Sequence, residues 1–109
     1  MMKVFISQPM AGRAESEILK ERERLIANIK EREPEAEIID SYQRDYAFAV
    51  NNFTSPKDDK GALKYLAESL KMLADADIAV FPKGWQMFRG CVIEEQCARF
   101  YGITVWREL

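Results

Sequence analysis

Glu94 stands where a carboxylate could act on a bound ligand, late in the stretch Gly84-Trp85-Gln86-Met87-Phe88-Arg89-Gly90-Cys91-Val92-Ile93-Glu94. Ahead of this stretch, Ala76-Asp77-Ile78-Ala79-Val80-Phe81-Pro82 reads as a buried strand: a short apolar run with β-branched residues, closed by proline. Beyond it, Ile103-Thr104-Val105-Trp106 reads as another. Between them an aromatic, glycine-bearing loop leads into a helix opening near Gly90. Val92, Ile93, Gln96, Ala98 and Phe100 mix apolar and polar positions as a half-buried helix does. A strand–loop–helix–strand unit sets the helix N-terminus beside the C-terminal ends of parallel strands. The spacing therefore predicts Glu94 in about the first helical turn, facing the crevice where open α/β sheets bind ligands. An acidic residue in a first turn also complements the helix dipole without any ligand, so position alone does not separate the two roles.

The composition removes several chemistries. The chain has no histidine, which excludes histidine-based triads, histidine general bases and histidine-containing metal sites. Its two cysteines, Cys91 and Cys97, lie on one predicted helix. They are poorly placed for a disulfide, and two thiols do not make a zinc site. Free thiols of a cytoplasmic protein are expected, with no metal and no cofactor. The net charge of −2 argues against a nucleic-acid polymer as partner, since such binders carry a basic face. It leaves room for a small phosphorylated ligand held by one or two local charges. The N-terminal Met1-Met2-Lys3 runs straight into a strand, so no signal peptide is expected, and no apolar run approaches membrane-spanning length.

The elements that must position Glu94 follow in order. Lys3-Val4-Phe5-Ile6-Ser7 is a compact apolar strand ending in the loop Gln8-Pro9-Met10-Ala11-Gly12-Arg13, marked by proline and glycine. Ala14 to Glu33 reads as a long helix, with Ile18, Leu19, Leu25, Ile26 and Ile29 on one side. The dense Glu, Lys and Arg positions around them read as a solvated face. Pro34 ends this helix. Glu37-Ile38-Ile39-Asp40-Ser41-Tyr42 is a second strand whose polar end, with Asp40, lies at the same sheet edge as Ser7 and Gln8 if the strands are parallel. Gln43 to Lys60 is irregular and rich in turn residues, and a loop of that length serves as a lid, a partner contact or a mobile segment. Ala62 to Ala74 is a helix with Leu63, Leu66, Leu70 and Leu73 as a core stripe. No repeat or linker interrupts residues 1–109, so one domain is expected.

Strand–helix alternation implies an α/β architecture with a parallel sheet covered on both faces, three layers deep. Right-handed crossovers then predict a doubly wound, flavodoxin-like (Rossmann-like) sheet of four to five strands in order 2-1-3-4. Its switch point lies between the first and third strands, where the loops Ser7–Arg13 and Lys83–Arg89 meet.

On these residues the chain resembles the nucleoside 2-deoxyribosyltransferase-like superfamily, and most of all a branch of small bacterial and phage domains within it. Val4-Phe5-Ile6-Ser7-Gln8-Pro9-Met10-Ala11-Gly12-Arg13 is similar to the family's first strand and its Ser-x-Pro-Met-x-Gly loop. Ala76-Asp77, Gly84-Trp85 and the four-residue spacing of Gly90, Glu94, Ala98 and Gly102 are similar to its second conserved segment. The resemblance implies that Glu94 is a nucleophile attacking the anomeric carbon of a nucleoside or nucleotide, expelling the base and forming a glycosyl-enzyme. It also implies that the Ser7–Arg13 loop (Ser7, Gln8, Pro9, Met10, Gly12 and Arg13) holds sugar or phosphate, and that the chain forms a homo-oligomer. Chemistry adds Trp85 or Phe88 as a stacking surface for a base, and Arg13 or Arg89 as a phosphate partner. The chain departs from the transferases at Ser69, where they carry an aspartate that handles the leaving base, and at Phe88, where they carry a polar residue. Asp40, Asp75 and Asp77 are the carboxylates that could substitute. The alternative reading is a nucleotide- or nucleoside-derivative-binding protein on the same scaffold, without turnover.

Overall fold

The computed structural model describes residues 2–42 and 60–109. The elements are β1 (Lys3–Ile6), α1 (Glu15–Arg32), β2 (Glu37–Ile38), α2 (Lys60–Ala74), β3 (Ile78–Val80), a 3₁₀ turn (Trp85–Met87), α3 (Arg89–Phe100) and β4 (Thr104–Trp106). The expected irregular segment from Gln43 lies outside the described residues, except that its last residue, Lys60, already begins α2. Among the described residues no helix is long and apolar enough to cross a membrane.

The four strands form one all-parallel sheet in the order β2-β1-β3-β4. This is the flavodoxin-like, Rossmann-like arrangement that the alternation predicts. β1 and β3 occupy the centre, paired Val4 to Ile78, Phe5 to Ala79 and Ile6 to Val80. Both are buried on both faces, which is why they read as continuous apolar runs rather than alternating ones. Alternation instead sorts their side chains between two cores. Val4, Ile6, Ile78 and Val80 pack with Leu25 and Ile29 of α1 on one face. Phe5, Ala79 and Phe81 pack with Leu73 of α2 and Cys91 and Ala98 of α3 on the other. Each fully buried aliphatic or aromatic side chain contributes roughly 1.5–3 kcal/mol, so these two layers hold the sheet edges in place.

α1 carries Glu15 and Glu17 in its first turn and Lys30 and Arg32 in its last, matching the helix dipole. Its buried positions are Ile18, Arg22, Leu25 and Ile29. Leu19, expected on the core side, is exposed. β2 is shorter than expected: the ladder continues only as the Ile39 N–H donating to the Val4 carbonyl at 2.9 Å. Beyond that rung the Ser41 hydroxyl donates to the Ile6 carbonyl at 3.0 Å. A side chain thus replaces the backbone donor and ends the strand.

α3 is half-buried, as expected, with Val92 packed against the core. Its buried residues are Cys91, Glu94, Glu95 and Ala98, while Ile93 and Phe100 face solvent. The buried stripe follows helical spacing but contains two carboxylates, and each has a partner that makes burial tolerable. Glu95 receives the Arg99 Nε–H at 2.7 Å and the Arg107 Nη2–H at 3.5 Å. Burial pushes Glu95 up, yet the Arg99 and Arg107 guanidinium groups hold it below the usual carboxylate range. That cluster ties the end of β4 to α3. Cys91 is buried and Cys97 half-buried, both as free thiols.

Candidate functional site

The site lies at the C-terminal edge of the sheet, at the switch point between β1 and β3. Ser7 follows β1 directly, and its backbone N–H donates to the Val80 carbonyl at 2.9 Å. Strand alternation turns its side chain to the α3 face. There the Ser7 hydroxyl donates to Glu94 Oε1 at 2.6 Å. This contact joins positions 87 residues apart in the chain. Glu94 is the sixth residue of α3, in the second turn rather than the first. It is 6% exposed, and its other oxygen, Oε2, carries no hydrogen bond within the described residues.

No cation neutralises Glu94 among the described residues; its partner is a neutral hydroxyl. Burial pushes its carboxyl up from 4.5 to about 7, against a smaller downward pull from the Ser7 bond. A carboxyl raised toward neutral pH in this way is able to exist as acid or as nucleophilic carboxylate. Cys91, one turn earlier, is shifted in the same direction. Burial pushes its thiol up to about 12, with the Ser7 contact pulling down and Glu94 and Glu21 pushing further up. A thiolate nucleophile is thus disfavoured here, and the carboxyl is the group of this cluster that titrates nearest neutral pH.

The loop after Ser7 is clipped to α1. Gln8 Nε2 donates to the Ile18 carbonyl and to Glu21 Oε1 at 3.4 Å. Both partners are acceptors, which fixes the amide's orientation and leaves Gln8 Oε1 buried without a hydrogen bond among the described residues. Arg13 Nη1 donates to the Pro9 carbonyl at 2.9 Å and to Glu21 Oε1 at 2.7 Å. The expectation that Arg13 points out toward a phosphate is thus not what the structure shows: Glu21 holds it in an ion pair. Gly12, at φ 74°, takes the left-handed conformation the turn needs. Pro9 is buried and Met10 half-buried beside it.

The remaining expected residues divide. Gly90 sits one turn before Glu94, and a Cβ there would meet nothing within 4 Å among the described residues, so this face of α3 is open next to the carboxyl. Trp85 is a correction. Its ring packs in the core against Phe81, centroids 5.5 Å apart, and a base has no indole face to stack on. Its Nε1–H is buried and has no hydrogen-bond partner among the described residues. Phe88 packs half-buried against the same core, and Arg89 opens α3 at the surface. Asp40 is at the right edge, with a side chain 94% exposed. Asp75 and Asp77 are at the wrong one. Asp77 Oδ2 accepts the Lys3 N–H at 2.8 Å, at the N-terminal edge of the sheet, so neither can serve Glu94.

Sequence reasoning missed Arg22 and Ser41. Arg22 sits inside a run of charged residues that reads as a solvated face, yet it is buried. The signal was present: residues 18, 22, 25 and 29 recur at helical spacing, and Arg22 fills a core position of that stripe. Its guanidinium donates to the Ile39 carbonyl at 3.2 Å and to Ser41 Oγ at 3.4 Å, which only the fold brings within reach.

No protein-family model, curated protein or solved structure matches this chain. The functional argument therefore stands on the geometry of the site.

Proposed function

We propose that this chain breaks or exchanges the N-glycosidic bond of a nucleoside or nucleotide, with Glu94 as nucleophile. The observation that supports it is the buried Glu94 carboxyl, held at Oε1 by Ser7 and without a hydrogen bond at Oε2 among the described residues, at the edge where such sheets bind ligands. Oε2 attacks the anomeric carbon, the carbon–nitrogen bond breaks, and the base departs with the electron pair and acquires a proton. The resulting glycosyl ester is then cleaved by water or by a second base. The Ser7 bond orients the carboxyl and favours its charged form, while burial strengthens its attraction to an oxocarbenium-like transition state. The likeness of the first loop and of the Gly90–Gly102 spacing to the deoxyribosyltransferases points the same way.

One observation favours the alternative, a nucleotide-binding protein without turnover. Asp75 and Asp77 lie at the opposite sheet edge, so neither replaces the leaving-base aspartate whose place Ser69 takes. A homo-oligomer belongs to the first reading; its physical support is apolar surface in water, with Met87 83%, Phe100 68% and Tyr101 83% exposed. Sedimentation velocity checks it.

The deciding experiment incubates the protein with the four deoxynucleosides and their 5′-monophosphates, follows base release by chromatography, and seeks a glycosyl adduct on Glu94 by mass spectrometry. Base release by wild type, abolished in Glu94→Ala with ligand binding retained, supports the enzyme. A thermal shift by one of these compounds with no base released from any overturns it in favour of binding.

A further inference from the structure

Arg22 is the one buried cation whose charge the described structure leaves poorly answered. It is 9% exposed, and burial holds its guanidinium below the usual arginine range, with Asp40 pulling the other way. Two neutral acceptors, the Ile39 carbonyl and Ser41 Oγ, take its Nη2 and Nη1. A guanidinium offers five N–H donors, and among the described residues these two acceptors are its only hydrogen-bond partners. Its nearest carboxylate, Asp40 Oδ1, stands 3.8 Å from Nη2 on a side chain that is almost fully in solvent. That distance makes a loose, direct ion pair rather than a bidentate hydrogen-bonded one.

Burying a cation costs several kcal/mol unless a counter-charge meets it. A clamp for the end of β2 would need only the two neutral bonds and no charge. The position is also significant. Arg22 donates to Ser41, Ser41 donates to the Ile6 carbonyl at 3.0 Å, and the next residue, Ser7, donates to Glu94 at 2.6 Å. Arg22 approaches the end of β1 from the α1 face and Glu94 from the α3 face. Asp40 shows that an anionic oxygen can approach the guanidinium from solvent. Arg13, the cation the sequence suggested for this task, is bound to Glu21.

We propose that Arg22, with the Ser41 hydroxyl, is an anion-recognition position of the crevice, and that the ligand acted on beside Glu94 is a nucleoside monophosphate rather than a free nucleoside. The second half rests on the nucleoside reading above; the first does not. The phosphate replaces Asp40 as the partner of Nη2 and takes further guanidinium N–H groups, while its sugar reaches across the end of β1 toward Glu94.

The test has two arms. The first titrates inorganic phosphate into the full chain, read by arginine side-chain ¹⁵N shifts and by melting temperature. Arg22→Met should weaken binding at least about tenfold. Asp40→Asn removes a like charge on an exposed side chain and should tighten binding about twofold to fivefold; it keeps the test decisive should Arg22→Met fail to fold. Phosphate affinity that is equal in wild type and Asp40→Asn, with the Arg22 resonances unmoved, overturns the anion position. The second arm compares deoxynucleoside 5′-monophosphates with the matching deoxynucleosides. Tighter binding of the monophosphates, with the difference lost in Arg22→Met or enlarged in Asp40→Asn, supports the assignment. Equal affinities overturn it and leave the glycosidic reading intact. Monophosphates held through Arg22 with no base ever released keep the anion position and remove the catalytic reading.

Discussion

Replacing Glu94 by glutamine should make the protein more stable, and by an amount that grows with pH. The carboxyl titrates near 7 in the folded chain against an ordinary value of 4.5. Between those values the native state binds more protons than the unfolded state, so this group makes stability fall as pH rises. Its favourable contribution is complete below pH 4.5 and lost once pH passes about 7. At about 1.36 kcal/mol per pH unit, the gap amounts to on the order of 3 kcal/mol. Glutamine mimics the protonated carboxyl: it still accepts the Ser7 hydroxyl and never ionises. Urea unfolding of both chains from pH 4 to 8 measures the effect. Every other titrating group is common to both, so the difference between them isolates position 94. With a slope of about 1–3 kcal/mol per molar urea, the midpoints should separate by about 1–3 M between pH 4.5 and 7 and run parallel outside that window. A separation that stays flat across the window, or that narrows as pH rises, refutes the claim that a buried, cation-free carboxyl sits at this position.

Ser7→Ala removes the bond that favours the charged form, so Glu94 should titrate above its wild-type midpoint; ¹³C shifts of the side-chain carboxyl read this, and a lower midpoint contradicts it. If the chain is an enzyme, kcat/KM should rise with pH through about 7 as the carboxylate forms, whereas a profile falling over that range makes the protonated form the active one. Glu95→Gln should destabilise by about 1–2 kcal/mol near neutrality by loosening Arg99 and Arg107; because this carboxyl is held low, the deficit should close as pH drops below the ordinary carboxyl range, and persistence in acid argues against an ion-pair origin. Gly12→Ala puts a side chain at φ 74° with no atom to clash with, so it should cost about 1 kcal/mol in urea unfolding from backbone strain alone. Leu25→Ala opens a hole between α1 and the sheet and should cost about 2–5 kcal/mol, with a smaller loss showing that the α1 core is less tightly packed than described.

Much of this protein is decided locally. β1 and β3 are apolar runs too short for helices and closed by Pro9 and Pro82, and α1 carries its acids early and its bases late. Given right-handed crossovers, such alternation leaves few sheet orders, and it sets Ser7, Asp40 and Glu94 at one edge before any coordinates exist. What the pattern could not decide is which charged or polar side chains the edge would bury. Arg22 looks like a solvated residue because a charge is counted as polar wherever it falls, and nothing in the pattern marks Glu95 as buried. Trp85 looks like a ligand platform because it borders a glycine loop. Burial of a charge depends on partners far away in the chain, such as the Ile39 carbonyl and Ser41 for Arg22, or Arg107 for Glu95. The near-neutral carboxyl of Glu94 has the same origin: it needs water removed by two packed layers and a single neutral hydroxyl from a strand 87 residues away, and only the assembled sheet supplies both.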